Sequence, residues 1–388
     1  MLNVDEKEFI QKHLSEDVSV LAFQKNKYPG LDLPKLLFQI QSRQKLSSKL
    51  PNWVQNLAIY FPPQISIEQS SSERSALFKS NLISGKIIDL TGGMGLDSWA
   101  FAQNINNQVT YVEINEQLKK ISEYNHHQLG LDRIIHFHAD GMEFIQSKTN
   151  HYDWIYMDPA RRDTKGKKVF LLKDCTPNAT QILSQITEKT GLLLKVSPML
   201  DIDLCIKELN GVNEVHIVCI QNEIKELLFK KIGIPSNDPE LFIWDIHKEE
   251  KLIYKQIKSN EREKEVSYSK PLQFLYEPNA GILKAGFFKS ICQKDLFKIS
   301  TNTHLYTSEH FISNFPGKSF AIKSIGKLDA NWIKSELQSN QANISCRNFP
   351  LTPEEIRKKL QLKDGGEKTL FAFRNSNQET QVVICQKT

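Results

Sequence analysis

The spacing of apolar residues changes character along this chain. Over residues 1–66 it is helical: Phe9, Ile10, Leu14 and Val18 fall on one stripe, and Leu33, Leu36, Leu37 and Ile40 on another. Pro62-Pro63 closes that segment. The serines at 70–72 then predict a helix running towards Leu82-Ile83, because a serine oxygen accepts the unpaired N–H groups of a first turn. From residue 86 short apolar runs (87–90, 109–112, 134–137, 154–157, 192–196) alternate with helical stretches. One of those stretches is capped by Asn115 and carries Leu118, Ile121 and Leu129 on a face. Strands spaced by helices predict a parallel sheet covered on both faces. Two runs, 215–220 and 224–232, flank Gln221-Asn222 and predict a hairpin that ends this sheet.

The last third restarts with a different rhythm. Strands are predicted at 320–325, 342–346, 369–373 and 381–385, with helices at 330–337 and after Thr352-Pro353-Glu354-Glu355. That tetrad is a capping box with proline at the first helical position. The expected organisation is a helical region over 1–66, an α/β domain over 67–245, a Lys- and Glu-rich linker or excursion over 246–270, and a small α+β module over 271–388.

Composition narrows the classes. The 388 residues exceed one ordinary domain, and 40% hydrophobic with 24% charged residues supply real cores. No apolar run approaches the roughly 20 residues of a membrane span, and the acidic N-terminus does not open a signal peptide. Six scattered cysteines without a CxxC pair imply reduced thiols, a cytoplasmic protein and no metal site. The net charge of +5 is unevenly placed: residues 271–388 hold 16 Lys and Arg against 10 Asp and Glu, and residues 1–270 hold 34 against 35. A basic C-terminal third points to a polyanion.

The chemistry concentrates where the predicted strands end. Asp89 closes the first strand and is followed by Leu90-Thr91-Gly92-Gly93-Met94-Gly95; Glu113, Asp140 and Asp158 end the next three strands. Ligands of open α/β sheets bind outside the carboxyl ends of the strands, so these four acids are expected to line one edge. Each acid alone is equally well a helix cap. The glycines let backbone approach a ligand and take φ values a side chain would forbid. A nicotinamide dinucleotide would require GxGxxG directly after the strand. Here the acid sits inside the strand end and the third glycine is missing.

The order acid–Leu–Thr–Gly–Gly–x–Gly, acid, Asp-Gly, Asp-Pro resembles class I S-adenosylmethionine (SAM)-dependent methyltransferases, and this likeness covers about residues 70–232. Over nearly the full length, Ile67-Glu68-Gln69-Ser70-Ser71-Ser72-Glu73, Asp89-Leu90-Thr91-Gly92-Gly93, Asp158-Pro159-Ala160-Arg161-Arg162, Lys195-Val196-Ser197-Pro198-Met199, Glu277-Pro278-Asn279-Ala280-Gly281, Asn302 to Ser308 and Arg347-Asn348-Phe349-Pro350 resemble bacterial methyltransferases with a C-terminal THUMP-like domain. That group is distantly similar to cap-trimethylguanosine synthases. The resemblance implies a Rossmann-like sheet, a ferredoxin-like or THUMP-like module that holds RNA (ribosomal or transfer), and methylation of an RNA base at an exocyclic amine.

It also implies roles. Gly92, Gly93 and Gly95 would pack on SAM with Asp89 at its amino-acid end, Thr91 and Gly141 belonging to the same set. Glu113 would take the ribose hydroxyls, Ile114 the adenine face and Asp140 the adenine amino group. Asp158 and Pro159 would orient the target amine. Ala160 and Arg161 replace the second proline and the aromatic of amine-methylating members, and Arg161 could stack on a base. Arg161, Arg162, Lys165, Lys167 and Lys168 put five cations beside the site, a phosphate-binding run or a solvated loop. Other readings of the chain are a methyltransferase for a protein or small molecule, and an RNA-binding protein with a vestigial pocket.

Overall fold

Buried branched residues at 87–88, 109, 112, 155 and 192–194 make the short strands that the spacing predicts. They are β1 (Lys86–Asp89), β2 (Gln108–Glu113), β3 (Ile135–His138), β4 (Trp154–Met157) and β5 (Gly191–Val196). The structure is a computed structural model that describes residues 1–62, 70–146, 148–160 and 171–388. The chain forms two compact units, one of Met1–Val215 with Glu226–Asn237 and one of His216–Lys225 with Asp238–Thr388. The division therefore falls within β6 (Glu214–Ile220) and β7 (Glu223–Lys231).

In the first unit the strand order is β3-β2-β1-β4-β5-β7. β1 pairs in parallel with both β2 and β4, β2 with β3 and β4 with β5, and β7 closes the unit antiparallel to β5. Order reverses between β1 and β4, and this switch is where an open α/β sheet leaves its ligand crevice. The helix Leu96–Phe101 follows β1, and the helix Glu116–Gln128 follows β2 with Asn115 as its cap.

The N-terminal helices Val4–His13, Val18–Ala22, Leu33–Leu46 and Pro51–Gln55 belong to this same unit. Phe9, Ile10, Leu21, Leu33, Leu36 and Ile40 form their core. They are tied to the sheet domain by polar pins. Asn125 bonds both backbone groups of Tyr60 at 2.8 and 2.9 Å, and the Glu73 carboxylate accepts from Trp53 N and Asn52 Nδ2, both at 2.9 Å. Ser72 caps the helix Glu73–Ser80 as the serine run predicts.

In the second unit Gln221 and Asn222 both adopt positive φ, the backbone of a two-residue hairpin turn. The expected linker over 246–270 contains more structure than its composition suggests. β8 (Glu240–Asp245) and β9 (Lys251–Ile257) form an antiparallel pair, and a helical turn covers Asn260–Glu263. A further sheet joins β10 (Phe274–Pro278), β11 (Phe297–Lys298), β12 (Tyr306–Ser308), β13 (Gly317–Gly326), β14 (Asn343–Arg347), β15 (Lys368–Arg374) and β16 (Thr380–Lys387) in the order β11-β12-β10-β13-β16-β15-β14.

Strand alternation sends neighbouring residues to opposite faces. Leu370, Val382 and Ile384 pack with Ile333, Leu337, Ile356 and Leu360 of the helices Ala330–Leu337 and Pro353–Leu360, whereas Phe371 and Val383 pack with Leu275, Leu305 and Phe320. Thr352 forms the predicted capping box with Glu355. Sequence spacing did not reveal β11 or β12, which are two and three residues long. Among the described residues no helix is long and apolar enough to cross a membrane.

Candidate functional site

Asp89 is the last residue of β1, Glu113 the last of β2, Asp158 the first after β4, and Asp140 lies just beyond β3. The register aligns Asp89 with Tyr111 and Glu113 with His138, so the acids do gather along one edge of the sheet. Their environments differ sharply.

Asp89 is 1% exposed and lies behind the glycine loop. Its Oδ1 accepts from Thr91 N at 3.0 Å and its Oδ2 from Ser98 Oγ at 2.7 Å. Burial pushes its carboxyl up to about 7, with the nearby charges of Asp97 and Asp158 adding to the effect. It shapes the loop from inside.

The glycines divide into two kinds. A Cβ on Gly92 would lie 2.2 Å from the Tyr111 ring, and one on Gly95 (φ +85°) 2.7 Å from the His126 ring. Those two are demanded by packing behind the loop. Gly93 (φ +55°) has room around it, its nearest neighbour being the Thr91 carbonyl at 3.6 Å. Its N–H donates to Glu113 Oε2 at 2.8 Å, and its carbonyl accepts from Tyr111 OH at 2.6 Å and Ser122 Oγ at 3.0 Å. His126 Nε2 bonds the Gly95 carbonyl at 2.8 Å, while its Nδ1 meets His136 Nε2 at 2.8 Å. Burial pushes both imidazoles down, to about 3 and about 4, so the pair is neutral at neutral pH. His127 pairs with Asp132 and His138 with the Ile114 carbonyl.

Glu113 is partly exposed; its other oxygen accepts from Asn115 N at 2.8 Å. Beside it Ile114 is 65% exposed, an apolar side chain with no cover of its own. Asp140 caps the helix Gly141–Ile145 through Oδ1 alone, with Met142 N at 2.8 Å and Glu143 N at 3.2 Å. Gly141 is required by the fold, since a Cβ there would lie 2.4 Å from the Leu90 carbonyl.

Asp158 is anchored on both sides. Its N–H donates to Thr91 Oγ1 at 2.7 Å, which ties the end of β4 to the glycine loop. Its Oδ2 accepts from Lys195 Nζ. Pro159 is buried and Ala160 exposed; Ala160 exchanges backbone bonds of 2.8 and 3.0 Å with Thr176. Arg161, Arg162, Lys165, Lys167 and Lys168 lie outside the described residues.

Behind Asp158 runs a buried charge network that the sequence reading missed. Lys79, fully buried, meets Asp97 Oδ1 at 3.0 Å, Glu226 Oε2 at 3.1 Å and Ser71 Oγ at 2.8 Å. Tyr156 OH donates to Asp97 Oδ2 at 2.7 Å. Burial disfavours the Lys195 ammonium, but Asp158, Glu226 and Asp97 outweigh it and raise its pKa. Burial likewise opposes the Asp97 carboxylate, and Lys79 and Lys195 hold it below its usual range. A signal existed: Lys79, Lys195 and Glu226 each adjoin apolar residues (Phe78, Leu194, Leu227), where a lone charge is costly unless paired.

A parallel sheet reversing at β1/β4, an antiparallel β7, a glycine loop after β1 and acids at the strand ends define a class I methyltransferase fold. A solved structure from Porphyromonas gingivalis W83, a "putative methyltransferase", is 30% identical, matches 99% of this chain and 98% of its own, and superposes with a TM-score of 0.85. A ferredoxin-like domain model matches residues 274–316 and a THUMP domain-like model residues 317–387. The chain belongs to the family of class I methyltransferases that carry this THUMP-like module.

Two other solved structures overlap less. A SAM-dependent methyltransferase from Agrobacterium tumefaciens is 22% identical, with 48% of this chain and 57% of that one covered and a TM-score of 0.29. The type I restriction-modification methyltransferase subunit from Streptococcus thermophilus is 11% identical over 55% and 52%, at a TM-score of 0.34. No protein of curated function matches the chain.

Proposed function

We propose that this protein transfers the methyl group of SAM to RNA, ribosomal or transfer, at Asp158. The observation that carries the reading is the Gly93–Glu113–Ile114–Asp140 arc, which offers an uncrowded glycine, a carboxylate, an apolar face and a second carboxylate in sequence along one sheet edge. Those groups suit SAM: Glu113 retains lone pairs for two ribose hydroxyls, Ile114 an open face for adenine, and Asp140 Oδ2 an acceptor for its amino group. Bound there, SAM supplies a methyl group already activated on a sulfonium. The chain's own task is then alignment, and the acceptor is assigned to Asp158, which Thr91 and Lys195 hold in place.

The RNA assignment is supported by the THUMP-like match and by the basic balance of residues 271–388. In amine-methylating relatives the acid of this motif accepts hydrogen bonds from an exocyclic amine, the acceptor that the sequence resemblance implies. Calorimetric titration with SAM and with NADH tests the cofactor: binding of SAM alone is expected, and tight NADH binding overturns the reading. Total RNA titrated at rising salt tests the partner. Affinity should fall steeply; an unchanged affinity would remove phosphate contacts and favour a protein or small-molecule acceptor.

A further inference from the structure

Lys195 stands where an amine acceptor would need hydrogen-bond acceptors. Its ammonium lies on Asp158 Oδ2, and an ammonium has three donors and no acceptor. An exocyclic amine also presents N–H donors, and it gains positive charge as it is methylated. A protonated lysine at that point opposes both. An alcohol oxygen has the opposite needs: lone pairs that take a donor, and a proton to give away.

The surrounding network keeps Lys195 in the donor state. Asp158, Glu226 and Asp97 together outweigh its burial, so it stays charged and cannot serve as a base. Asp158 Oδ1 has no partner among the described residues, and the Asp158 side chain is about a third exposed, at 31%. One donor and one acceptor thus lie side by side at the end of β4. Lys79 fixes Glu226 and Asp97 from behind at 3.1 and 3.0 Å.

Resting on the reading of the chain as a SAM-dependent RNA methyltransferase, we infer that the acceptor is a ribose 2′-hydroxyl, held between Lys195 and Asp158, and not a base amine. Within an RNA strand the 2′-hydroxyl is the free alcohol of every nucleotide. The hydroxyl oxygen donates its lone pair to form the O–CH₃ bond as the S–CH₃ bond breaks, and that bonding pair stays on sulfur. The hydroxyl proton passes to Asp158 Oδ1 and then to water. Lys195 donates to the oxygen throughout and keeps its own protons.

The test uses the full chain, methyl-labelled SAM and total RNA from a strain lacking the gene, followed by alkaline hydrolysis. A 2′-O-methyl group blocks cleavage at its own linkage, so label in alkali-stable dinucleotides supports the inference. Label in mononucleotides with a methylated base overturns it and leaves RNA methylation standing. No label in RNA, with SAM binding intact by calorimetry, overturns both. This product analysis needs no variant. Lys195→Met should lower transfer at least a hundredfold with SAM affinity within threefold of the parent, and Lys195→Arg should keep a measurable part. Undiminished transfer by Lys195→Met removes the lysine from the step.

Discussion

Gly93 N–H donates to Glu113 Oε2 across 2.8 Å, so the residue proposed to hold the ribose also fixes the glycine loop. The two roles are separable by substitution. Glu113→Ala loses both; a charge-assisted hydrogen bond contributes roughly 1.5–3 kcal/mol, so SAM affinity should fall about ten- to a hundredfold. Glu113→Gln retains an acceptor for Gly93 and should fall less. Calorimetry reads both, and an unchanged affinity in Glu113→Ala would exclude the ribose role.

How much of this edge was legible in the sequence depends on what each residue answers to. Asp89, Glu113, Asp140 and Asp158 could be placed at the strand ends because strand period and turn chemistry are local. Whether an acid faces the ligand or the interior is not local: Asp89 is turned inward by Ser98, nine positions later, and this shows only once the helix Leu96–Phe101 is packed. The same holds for Gly92 and Gly95, whose need comes from Tyr111 and His126 on other elements. The Lys79–Asp97–Glu226 cluster joins residues up to 147 positions apart, a distance no spacing rule spans. Strands β11 and β12 failed for a different reason, being too short to show a period.

Gly95→Ala should be costly in a way that Gly130→Ala is not. Both glycines have positive φ, +85° and +72°, where an alanine costs about 1–2 kcal/mol. Gly130 has open space around it, whereas a Cβ at Gly95 would also collide with His126 and strain its bond to the Gly95 carbonyl. Thermal melts should show a small loss for Gly130→Ala and a clearly larger one for Gly95→Ala, together with weaker SAM binding. Equal losses would mean that His126 gives way freely.

Asp89 makes stability depend on pH in an unusual direction. Burial pushes its carboxyl up to about 7 from an ordinary value of 3.8, so between those values the folded state holds a proton that the unfolded state has released. Its contribution is therefore present at low pH and lost as pH rises through 7. Asp89→Asn removes that titration while keeping a polar group for Thr91 N. Relative to the parent it should gain on the order of 2 kcal/mol between pH 5 and pH 8. Urea denaturation at the two pH values measures the difference, and a difference that does not grow with pH rejects the assignment.

Lys79 offers the sharpest test of the buried network, because its ammonium is fully buried against two carboxylates. Removing one partner from a buried pair leaves an uncompensated charge and costs about 3–5 kcal/mol. Lys79→Met should lose that much in chemical denaturation, since Asp97 and Glu226 both lose their shared partner. Adding Glu226→Gln removes one of those charges, so the double variant should be more stable than the sum of the two single losses predicts. The coupling energy from the cycle should lie above about 1 kcal/mol, since contacting residues in one network do not add. Strictly additive losses would show that Lys79 and Glu226 are held independently.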